Sequence, residues 1–533
     1  MKKQLEGIIE KAAKGLIKGK GIELPVIVVQ APKNRDYGDF ATNLPILLAP
    51  LIGEAVPKTA ELLVEQLKKG QAANICEKIL ATGGFVNLKL TQKFLSDHLK
   101  TIIRLDSEYG KSDAGGGKKV LVEFVSANPT GPLHIGHGRW AVIGDDISSL
   151  LEAVGFKVTR EFYVNDVGGQ IKKLVASVLA RMDGKPVPEG GYGGAYVKDL
   201  AEELKSKRGH PEFERILLTT ILDGQKKVLK KLDVKFDSFF RESSLHDEKK
   251  VEQAVKELIE KGHTAEKEGA LWFRSEVLGD DKDRVLVRES GDTTYFAADI
   301  AYHLNKFERK FDRLINVWGT DHHGYVKRVK VALGALGFDP KKLEIIIGQL
   351  VSLWRGKEQV RMSKRTGEMI TLEEVVDEIG KDATRFFLTM ASKNSHLDFD
   401  LELAKQQASD NPVYYVQYAH ARICSIFREA GHHVGARCNA HLHLLIDPSE
   451  RALMRALLDL PDEMLLAAEK REPHRMVEYA RQLAALFHNF YHQCRVITDD
   501  AEITSARLAL VDAARIVLHN VLKLLKVTAP ERM

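Results

Sequence analysis

Hydrophobic positions follow two different spacings along this chain, and the changes of spacing mark its regions. Between residues 118 and 400, short apolar and β-branched runs, such as 119–125, 155–164, 313–318 and 343–348, alternate with segments whose apolar residues recur every three or four positions. The runs predict buried parallel strands, and the periodic segments predict helices. This alternation indicates a parallel sheet covered by helices on both faces.

Two further regions flank the alternation. Residues 1–107 mix helical periodicity with a short alternating stretch, which predicts an α+β domain. Residues 408–533 keep helical periodicity throughout, which predicts an all-α helix bundle. Residues near 185–290 interrupt the central alternation and are expected to form an insertion. The predicted fold class is α/β: a Rossmann-like parallel-sheet domain at 118–400 with that insertion, an N-terminal α+β domain and a C-terminal helix bundle.

A motif of histidines and glycines follows the first predicted strand of the sheet. After a turn with two prolines at 126–132, the sequence reads Leu-His-Ile-Gly-His-Gly, and a helical stripe then begins. His134 and His137 are therefore expected at a helix N-terminus, where free N–H groups attract phosphate. Gly136 and Gly138 lack Cβ atoms, so a flat ligand could approach the backbone there. An isolated pair of this kind is more often structural, and a zinc site would need further ligands.

A second motif lies more than two hundred residues later. The sequence Arg-Met-Ser-Lys-Arg at 361–365 stands in the charged, glycine-bounded stretch 356–368, which predicts a flexible loop. By itself this stretch would be a solvated cationic surface. Together with the histidine motif, it predicts a site where Lys364 and two imidazoles hold the triphosphate of ATP.

The two motifs, in this order, resemble the ATP-binding motifs of class I aminoacyl-tRNA synthetases. The chain is similar to bacterial arginyl-tRNA synthetases over nearly its whole length, through blocks in the family's order: Val122–Pro132, Arg160–Asp166, Tyr295–Tyr302, Trp318–Tyr325 and Asn411–Ala419. It departs from the usual loop motif, because Arg361 and Arg365 replace the usual lysine and serine. Lys364 is kept, so activity is expected to survive.

The resemblance implies ATP-dependent attachment of L-arginine to its tRNA through an arginyl-adenylate, with release of AMP and pyrophosphate. It implies ATP with Mg²⁺ as a substrate, no permanently bound cofactor and no metal site of the protein's own. The implied catalytic residues are His134, His137 and Lys364. The residues implied for ATP binding are Pro132, Leu133, His134, Gly136, His137, Met362, Ser363 and Lys364.

An arginine pocket has a physical requirement of its own. A guanidinium is planar and always charged, so selective binding needs carboxylates that accept its forked donors. Asp299 follows Tyr295 by one helical turn, so the two share a face. By the resemblance, the arginine-binding residues are Glu123, Asn128, Glu242, Tyr295, Asp299 and His323 or its neighbour.

The resemblance also implies two contacts with tRNA. The N-terminal domain is expected to touch the tRNA elbow, and the C-terminal bundle is expected to bind the anticodon. Unpaired bases stack well on aromatic rings and guanidinium planes, although tyrosines in a bundle can equally belong to its core. The residues expected to contact tRNA are Asn43, Tyr414, Tyr418 and Arg422.

Composition is consistent with this interpretation and argues against a membrane protein. The 533 residues carry a net charge of +5, which suits a polyanionic partner without requiring one. The sequence has no apolar run long enough to span a bilayer, and its four cysteines are scattered, as in reduced cytosolic proteins. We expect a cytoplasmic monomer whose partners are arginine tRNA, L-arginine and ATP.

Other interpretations of these patterns are weaker. The glycine run 190–194 lacks the Lys-Ser/Thr ending of a phosphate-binding loop and is more typical of a turn. A cluster of possible metal ligands reads as part of a linker: His432, His433, Cys438, His441 and His443. A small-molecule nucleotidyltransferase would share the histidine motif but lack the helical C-terminal third. A catalytically idle RNA-binding relative would not be expected to keep both motifs.

Overall fold

The N-terminal region pairs a small antiparallel sheet with five helices. The computed structural model describes residues 1–32, 34–360, 370–431 and 441–533. The strands pair in the order β1-β2-β4-β3, and amphipathic helices bury their apolar stripes against them. These elements are α1 (Lys2–Ile17), β1 (Val29–Gln30), β2 (Phe40–Thr42), α2 (Leu44–Ile52), α3 (Val56–Lys69), α4 (Ala72–Ile75), β3 (Cys76–Thr82), β4 (Phe85–Leu90) and α5 (Gln92–Leu105).

Strands and helices alternate through the middle of the chain, as the apolar spacing predicts. The first half comprises β5 (Lys119–Glu123), α6 (Ile135–Ala153), β6 (Lys157–Val164), α7 (Gly169–Met182), α8 (Ala195–Glu203), α9 (Phe213–Lys231), β7 (Ser238–Arg241), α10 (Glu242–Asp247) and α11 (Lys250–Glu260). The second half comprises β8 (Thr264–Lys267), β9 (Ala270–Phe273), β10 (Arg284–Val287), α12 (Tyr295–Glu308), β11 (Arg313–Gly319), α13 (Tyr325–Ala335), β12 (Leu343–Gly348), β13 (Val351–Arg355), β14 (Glu358–Val360), α14 (Leu372–Met390), β15 (Leu397–Asp400) and α15 (Leu401–Lys405).

A five-stranded parallel sheet organises this region. Its strand order is β12-β11-β5-β6-β7, and each neighbouring pair is parallel. The chain leaves β5 in one direction for β6 and β7, and later adds β11 and β12 on the other side. The connections therefore diverge at β5, and a crevice opens beyond its carboxyl end. The predicted parallel, Rossmann-like fold class is confirmed.

The edge strand β7 comes from an unexpected part of the chain. Residues 238–241 lie inside the segment predicted as an insertion, yet they pair in parallel with β6. Part of that segment therefore completes the central sheet. Its other strands, β8 to β10, form a separate antiparallel sheet.

The C-terminal region is helical, as its periodicity predicts. Asn411 caps the first of its helices, and its side chain accepts a hydrogen bond from Val413 N–H at 3.2 Å. The helices are α16 (Pro412–Ala430), α17 (Pro448–Leu457), α18 (Leu460–Lys470), α19 (His474–Gln493) and α20 (Ala501–Leu524). Arg451 of α17 donates to Asp39 at 3.0 Å and to the Leu90 carbonyl at 2.7 Å, so the N-terminal region docks on this bundle. Among the described residues, no helix has the length and apolar character needed to cross a membrane.

Candidate active site

A cleft of about 960 Å³ opens at the carboxyl ends of β5, β11 and β12. The turn after β5, the start of α6 and the start of α14 form its walls. Residues from distant parts of the chain meet there because the carboxyl ends of parallel strands share one edge of the sheet. Its lining includes Ser126, Asn128, Pro132, His134, Gly136, His137, Trp140, His322, Gly348 and Thr371.

The two motif histidines cap helix α6. His134 is the N-cap residue, and its Nδ1 accepts a hydrogen bond from His137 N–H at 3.4 Å. In return, His137 Nδ1 accepts from His134 N–H at 3.3 Å, and the rings stack with centroids 3.7 Å apart. Because each Nδ1 is an acceptor, the proton of each neutral ring lies on Nε2. Both rings therefore have an N–H donor at the atom pointing away from the helix backbone.

The motif's glycines have different neighbours. A Cβ at Gly136, which lines the cleft, would lie 2.9 Å from the His134 ring. A Cβ at Gly138 would lie 2.5 Å from a methyl group of Leu372, so this glycine lets α14 pack closely on α6. The expectation that both glycines open space for a flat ligand is therefore wrong for Gly138. The absent side chain there makes room for a helix.

Close packing of Trp140 on Gly348 shapes the floor of the cleft. A Cβ at Gly348, at the end of β12, would lie 1.7 Å from the Trp140 indole. The ring therefore covers the Gly348 backbone, and any larger residue there would displace it. Since Trp140 follows His137 by three positions on α6, the ring and the imidazole share a helix face.

The lysine motif lies outside the described residues. Met362, Ser363 and Lys364, together with Arg361 and Arg365, fall in the segment 361–369, and the described chain resumes at Ile370. The next residue, Thr371, forms a β-bridge with His134 and caps α14 through Glu374 N–H at 3.1 Å. Leu372 N–H then donates to the carbonyl of buried Leu133 at 2.8 Å. The chain thus leaves that segment directly beside the histidine motif.

The predicted arginine ligand Glu123 ends β5 and is already engaged. It is buried, and its Oε2 accepts from Lys306 Nζ at 2.5 Å, while its Oε1 accepts from Ser126 Oγ–H at 2.7 Å. Val125 and Ser126 both have positive φ values, 69° and 42°, which non-glycine residues rarely adopt. This strained turn carries Ser126 from the buried strand into the cleft lining.

Two other carboxylates lie close to Glu123 and have weaker compensation. Glu242 follows β7, is buried, and accepts from the Tyr163 hydroxyl at 2.7 Å; burial raises its pKa. Burial, with the charges of Glu242 and Glu123, raises the pKa of Asp299 to about 8. Among the described residues, no side-chain hydrogen bond to the Asp299 carboxylate is found. The three acids and Lys306 are referred to below as the socket cluster.

The remaining residues predicted to bind arginine differ in their exposure and in their contact with the cleft. Tyr295 begins α12 one turn before Asp299 and is half exposed. Its hydroxyl packs against Gly168, where an added Cβ would lie only 2.8 Å from the hydroxyl oxygen. Asn128 lines the cleft and donates to Gln170 Oε1 at 2.9 Å. His323 is exposed, and its neighbour His322 lines the cleft instead.

The predicted tRNA contacts lie far apart in sequence. Asn43 precedes α2, whose Ile46, Leu47 and Leu51 are 40%, 40% and 48% exposed. On α16, the rings of Tyr414 and Tyr418 are nearly parallel with centroids 6.1 Å apart. These rings are partly exposed, whereas the core face of α16 carries Val413, Val416 and His420.

Arg422 continues the row of rings on α16. Its guanidinium donates to the Tyr418 hydroxyl and lies 5.3 Å from the Tyr418 ring and 5.4 Å from the Tyr491 ring. His488 of α19 also stacks on Tyr418, with centroids 5.9 Å apart. The arrangement is a half-buried surface of rings and one cation.

Several of these residues were not anticipated from the sequence. Lys306 lies four residues after Tyr302 and seven after Asp299, so a polar stripe at helical spacing was its only signal. Arg139, between two apolar residues, is fully buried and donates to four carbonyls: Gln349, Leu350, Ser392 and Ser395. Its contacts tie the cleft-lining residues Gln349 and Leu350 to the turn at 392–395, and no local sequence pattern predicts them.

No metal centre is evident in the part of the chain that the structure describes, since no three His, Cys, Asp or Glu side chains are grouped to hold one. His432, His433 and Cys438 lie outside that part. His441 Nε2 lies 3.8 Å from a Glu502 carboxylate oxygen.

Family models match the chain from end to end. The model described as "Arginyl tRNA synthetase N terminal domain" matches residues 1–90. "tRNA synthetases class I (R), catalytic domain" matches residues 98–189 and 194–424. "DALR anticodon binding domain" matches residues 416–533.

Curated relatives are similar over the same length. The arginine–tRNA ligase of Moorella thermoacetica is 48% identical over 530 residues, which cover 96% of this chain and 94% of the relative. The arginine–tRNA ligase of Heliobacterium modesticaldum is 46% identical over 559 residues, which cover 100% of this chain and 99% of the relative.

Solved structures share the fold. The arginyl-tRNA synthetase of Thermus thermophilus superposes with a TM-score of 0.81 over the full length of both chains, at 24% identity. A methionyl-tRNA synthetase of Mycobacterium tuberculosis, in complex with methionyl-adenylate, superposes with a TM-score of 0.56 at 12% identity, over 77% of this chain and 91% of the other.

Proposed function

Because this chain belongs to the arginyl-tRNA synthetase family, we propose that it uses ATP to attach L-arginine to its tRNA through an arginyl-adenylate. The observation that carries this proposal is the adjacency of two unlike sites at one sheet edge. Ser126 lines the histidine cleft and also donates to Glu123 of the socket cluster. A nucleotide and a guanidinium could therefore lie side by side, with the reacting carboxylate and α-phosphate between them.

The first step needs alignment and charge compensation more than covalent help. The carboxylate of arginine attacks the α-phosphorus of ATP, and pyrophosphate leaves with its electron pair. The Nε2–H groups of His134 and His137, at the N-terminus of α6, would donate to phosphate oxygens whose charge changes in the transition state. Trp140 and Gly348 bound the same cleft.

Lys364 is proposed as the cation that completes the triphosphate site. The support is its motif and the position of Thr371, which bridges to His134 as the chain returns from 361–369. Met362 and Ser363 would bind ATP from the same segment. Mg²⁺ is proposed to enter with ATP on the phosphate oxygens, which it prefers together with water ligands.

Amino-acid selection is proposed to occur at the socket cluster. Burial raises the pKa of both Asp299 and Glu242, and neither acid has a lysine or arginine side chain in salt-bridge contact among the described residues. A forked guanidinium supplies that charge with several donors, whereas neutral citrulline would leave it unmatched. Tyr295, Asn128 and the 322–323 turn are proposed to bound the rest of the amino acid.

Contacts with tRNA are proposed at both ends of the chain. Exposed Ile46 and Leu47, beside Asn43, would offer an apolar surface to an unstacked base of the tRNA elbow. Tyr414, Tyr418 and Arg422 would stack on anticodon bases.

We also propose a cytoplasmic monomer. The described cysteines Cys76, Cys424 and Cys494 are unpaired thiols, as a reducing compartment favours. Sedimentation at micromolar concentration would test the monomer, since a concentration-dependent increase in mass would contradict it.

Arginine-dependent exchange of labelled pyrophosphate into ATP tests the function directly. We expect exchange only with L-arginine, and family behaviour implies that cognate tRNA must be present, so the assay is run with and without tRNA. Exchange that ignores arginine even with tRNA would refute the proposal.

Lys364→Ala tests the role of the second motif. We expect activation to slow by about 100-fold or more, as for other groups that stabilise transition-state charge, while tRNA affinity changes little. Lys357→Ala is the matched control, because Lys357 is an exposed cation at the neighbouring turn between β13 and β14. Loss of tRNA binding in Lys364→Ala, with normal exchange, would contradict the assignment.

A further inference from the structure

Lys306 is a fully buried amine that the proposed chemistry does not use. Its side chain has no exposed surface, and its Nζ donates to Glu123 Oε2 at 2.5 Å and to Asn316 Oδ1 at 2.9 Å. The ammonium also lies 4.2 Å from the centre of the Tyr302 ring. A buried lysine with this many partners is held in one place, because each contact opposes any other rotamer.

The orientation of Asn316 is set by a histidine. His303 Nδ1 lies 2.8 Å from the Asp299 carbonyl oxygen, which can only accept, so this nitrogen carries the proton. His303 Nε2 must then accept from Asn316 Nδ2 at 2.8 Å. Burial lowers the pKa of His303 to about 3, which keeps the ring neutral. Asn316 Oδ1 is consequently directed at Lys306.

The other end of this chain of hydrogen bonds reaches the cleft. Glu123 accepts from Lys306 on one oxygen and from the Ser126 hydroxyl on the other. Ser126 Oγ also accepts from Tyr163 N–H at 3.3 Å, and Ser126 lines the cleft. Both oxygens of Glu123 thus have internal partners before any substrate arrives. A guanidinium would have to break a buried ion pair to use this carboxylate.

We propose that Lys306 is a positioning residue for arginine selection: it holds Glu123 as a permanent internal partner, so that the substrate guanidinium is directed to Asp299 and Glu242. The inference rests on the proposed function and changes the role of one residue within it. Glu123 is then a support for the strained turn at Ser126, and the specificity fork consists of the two acids that the described structure leaves without a lysine or arginine partner.

The charges of the cluster are consistent with this division. Glu161 also faces Lys306, but it is paired with Arg309 at 2.6 Å. The pairing of Lys306 with Glu123 therefore leaves the deficit of positive charge on Asp299 and Glu242. His246 Nε2 lies 3.9 Å from Glu242 Oε1, and this imidazole is charged only when protonated. A single arginine then meets a fixed pair of acceptors. Without Lys306, Glu123 would become a third unmatched acid at the base of the pocket and would compete for the substrate's cation.

A double-mutant cycle tests the proposal in the full-length chain. Arginine-dependent exchange with tRNA is measured for Lys306→Met, Glu123→Gln and the double variant. We expect each single variant to raise the KM for arginine by about tenfold or more, since each leaves a buried charge or donor unpaired. We expect the double variant to return to within about threefold of wild type, because the introduced glutamine amide can still accept from Ser126 and needs no counter-charge.

The opposite result would overturn the proposal. If Glu123 itself bound the guanidinium, the double variant would be as poor as Glu123→Gln or worse. Should the single variants fail to fold, the double variant alone decides, since its pair is neutral and of similar volume. The KM for ATP is measured in parallel and is expected to stay within about twofold, because Lys306 acts on the amino-acid side.

A control variant separates local effects from the general effect of losing an amine that pairs with a buried acid. Lys526 is partly buried, donates to the buried Asp145 carboxylate at 2.7 Å and does not line the cleft. Lys526→Met should lower thermal stability while leaving the KM for arginine within about twofold of wild type. A failure of wild-type protein to exchange pyrophosphate with arginine would instead refute the proposed function, and the two failures are distinguishable.

Discussion

Two charge clusters in this protein both combine buried acids with basic side chains but are balanced differently. The socket cluster has three acids and one base. A second cluster, here called the clamp cluster, consists of Asp145 and Asp146 of α6, Arg385 of α14 and Lys526 beyond α20, with two acids and two bases. The first is short of positive charge, and the second is matched.

Hydrogen bonding follows the same division. In the clamp cluster every carboxylate oxygen has a donor: Arg385 reaches Asp145 at 2.9 Å and Asp146 at 2.6 Å, and Lys526 and Thr389 reach the remaining oxygens. Burial raises the pKa of Asp146 to about 6, and Arg385 opposes that rise. The pKa of Asp299 in the socket cluster reaches about 8. The two clusters therefore differ in how far neighbouring bases compensate their buried acids.

The clamp cluster also connects regions of the chain. Arg385 donates to the Leu525 carbonyl at 2.7 Å and to the Leu232 carbonyl at 2.9 Å. Together with its ion pairs to Asp145 and Asp146, these contacts join α6, which His134 caps, to α14 and to the end of the C-terminal bundle.

Arg385→Met would break the matched cluster and should have the largest effect. Two buried carboxylates would lose their shared base, which costs about 3–5 kcal/mol of folding free energy when one partner of a buried pair is removed. Urea denaturation measures this loss. The KM for arginine should remain near wild type in protein that is still folded, and a tenfold change in that KM without a loss of stability would contradict the comparison.

Asp299→Asn tests the socket cluster. We expect kcat/KM for arginine to fall by about 100-fold, because a charged hydrogen-bond acceptor for the guanidinium is lost. The KM for ATP should change by less than about threefold. Unliganded protein should become more stable by about 1 kcal/mol or more at pH 7, because folding must protonate Asp299, which is ionised in the unfolded chain, and asparagine carries no such cost. Equal damage to arginine and ATP use would contradict the assignment.

The raised pKa of Asp299 predicts a pH dependence. Burial and the charges of Glu242 and Glu123 raise this pKa to about 8, and Lys306 lowers it. Below pH 8 the acid must release a proton before it accepts a guanidinium, so the KM for arginine should increase by up to about tenfold per pH unit as pH falls. The slope should vanish in Asp299→Asn. If the pH dependence of the KM for arginine were the same in Asp299→Asn, the titrating group would be a residue other than Asp299.

The same shift has a consequence for stability. Unfolded aspartate is ionised above about pH 4, whereas folded Asp299 keeps its proton until about pH 8. The folded state therefore binds more protons in this window, and the contribution of Asp299 to stability decreases as pH rises from 4 to 8.

Glu152→Gln should have the smallest effect. Glu152 pairs with Arg160 at 2.6 Å at the edge of the clamp cluster, and its side chain is 44% exposed. Exposed pairs contribute at most about 1 kcal/mol, so the loss should be small and should shrink further in high salt. If Glu152→Gln lost as much folding free energy as Arg385→Met, solvent exposure would not explain why the two ion pairs contribute differently to stability.

Local pattern was sufficient for much of the architecture. The strand predicted at 343–348 is Leu343–Gly348, and the one predicted at 313–318 is Arg313–Gly319. The placement of His134 at a helix start was also predictable, because a strand, a proline turn and a helical stripe follow one another in sequence. The short strand Ser238–Arg241 was not recognised, since its neighbours carry no regular alternation.

The parallel sheet, the flanking regions and the position of the histidine cap can be read from the amino-acid pattern alone, because they follow from which faces of nearby residues must be buried. Which charges are matched depends instead on how distant segments pack together. Glu123 and Lys306 lie 183 residues apart, and Arg385 is 240 residues from Asp145. No local spacing can show that one acid has a partner and another lacks one, since Coulomb interactions depend on distance in space.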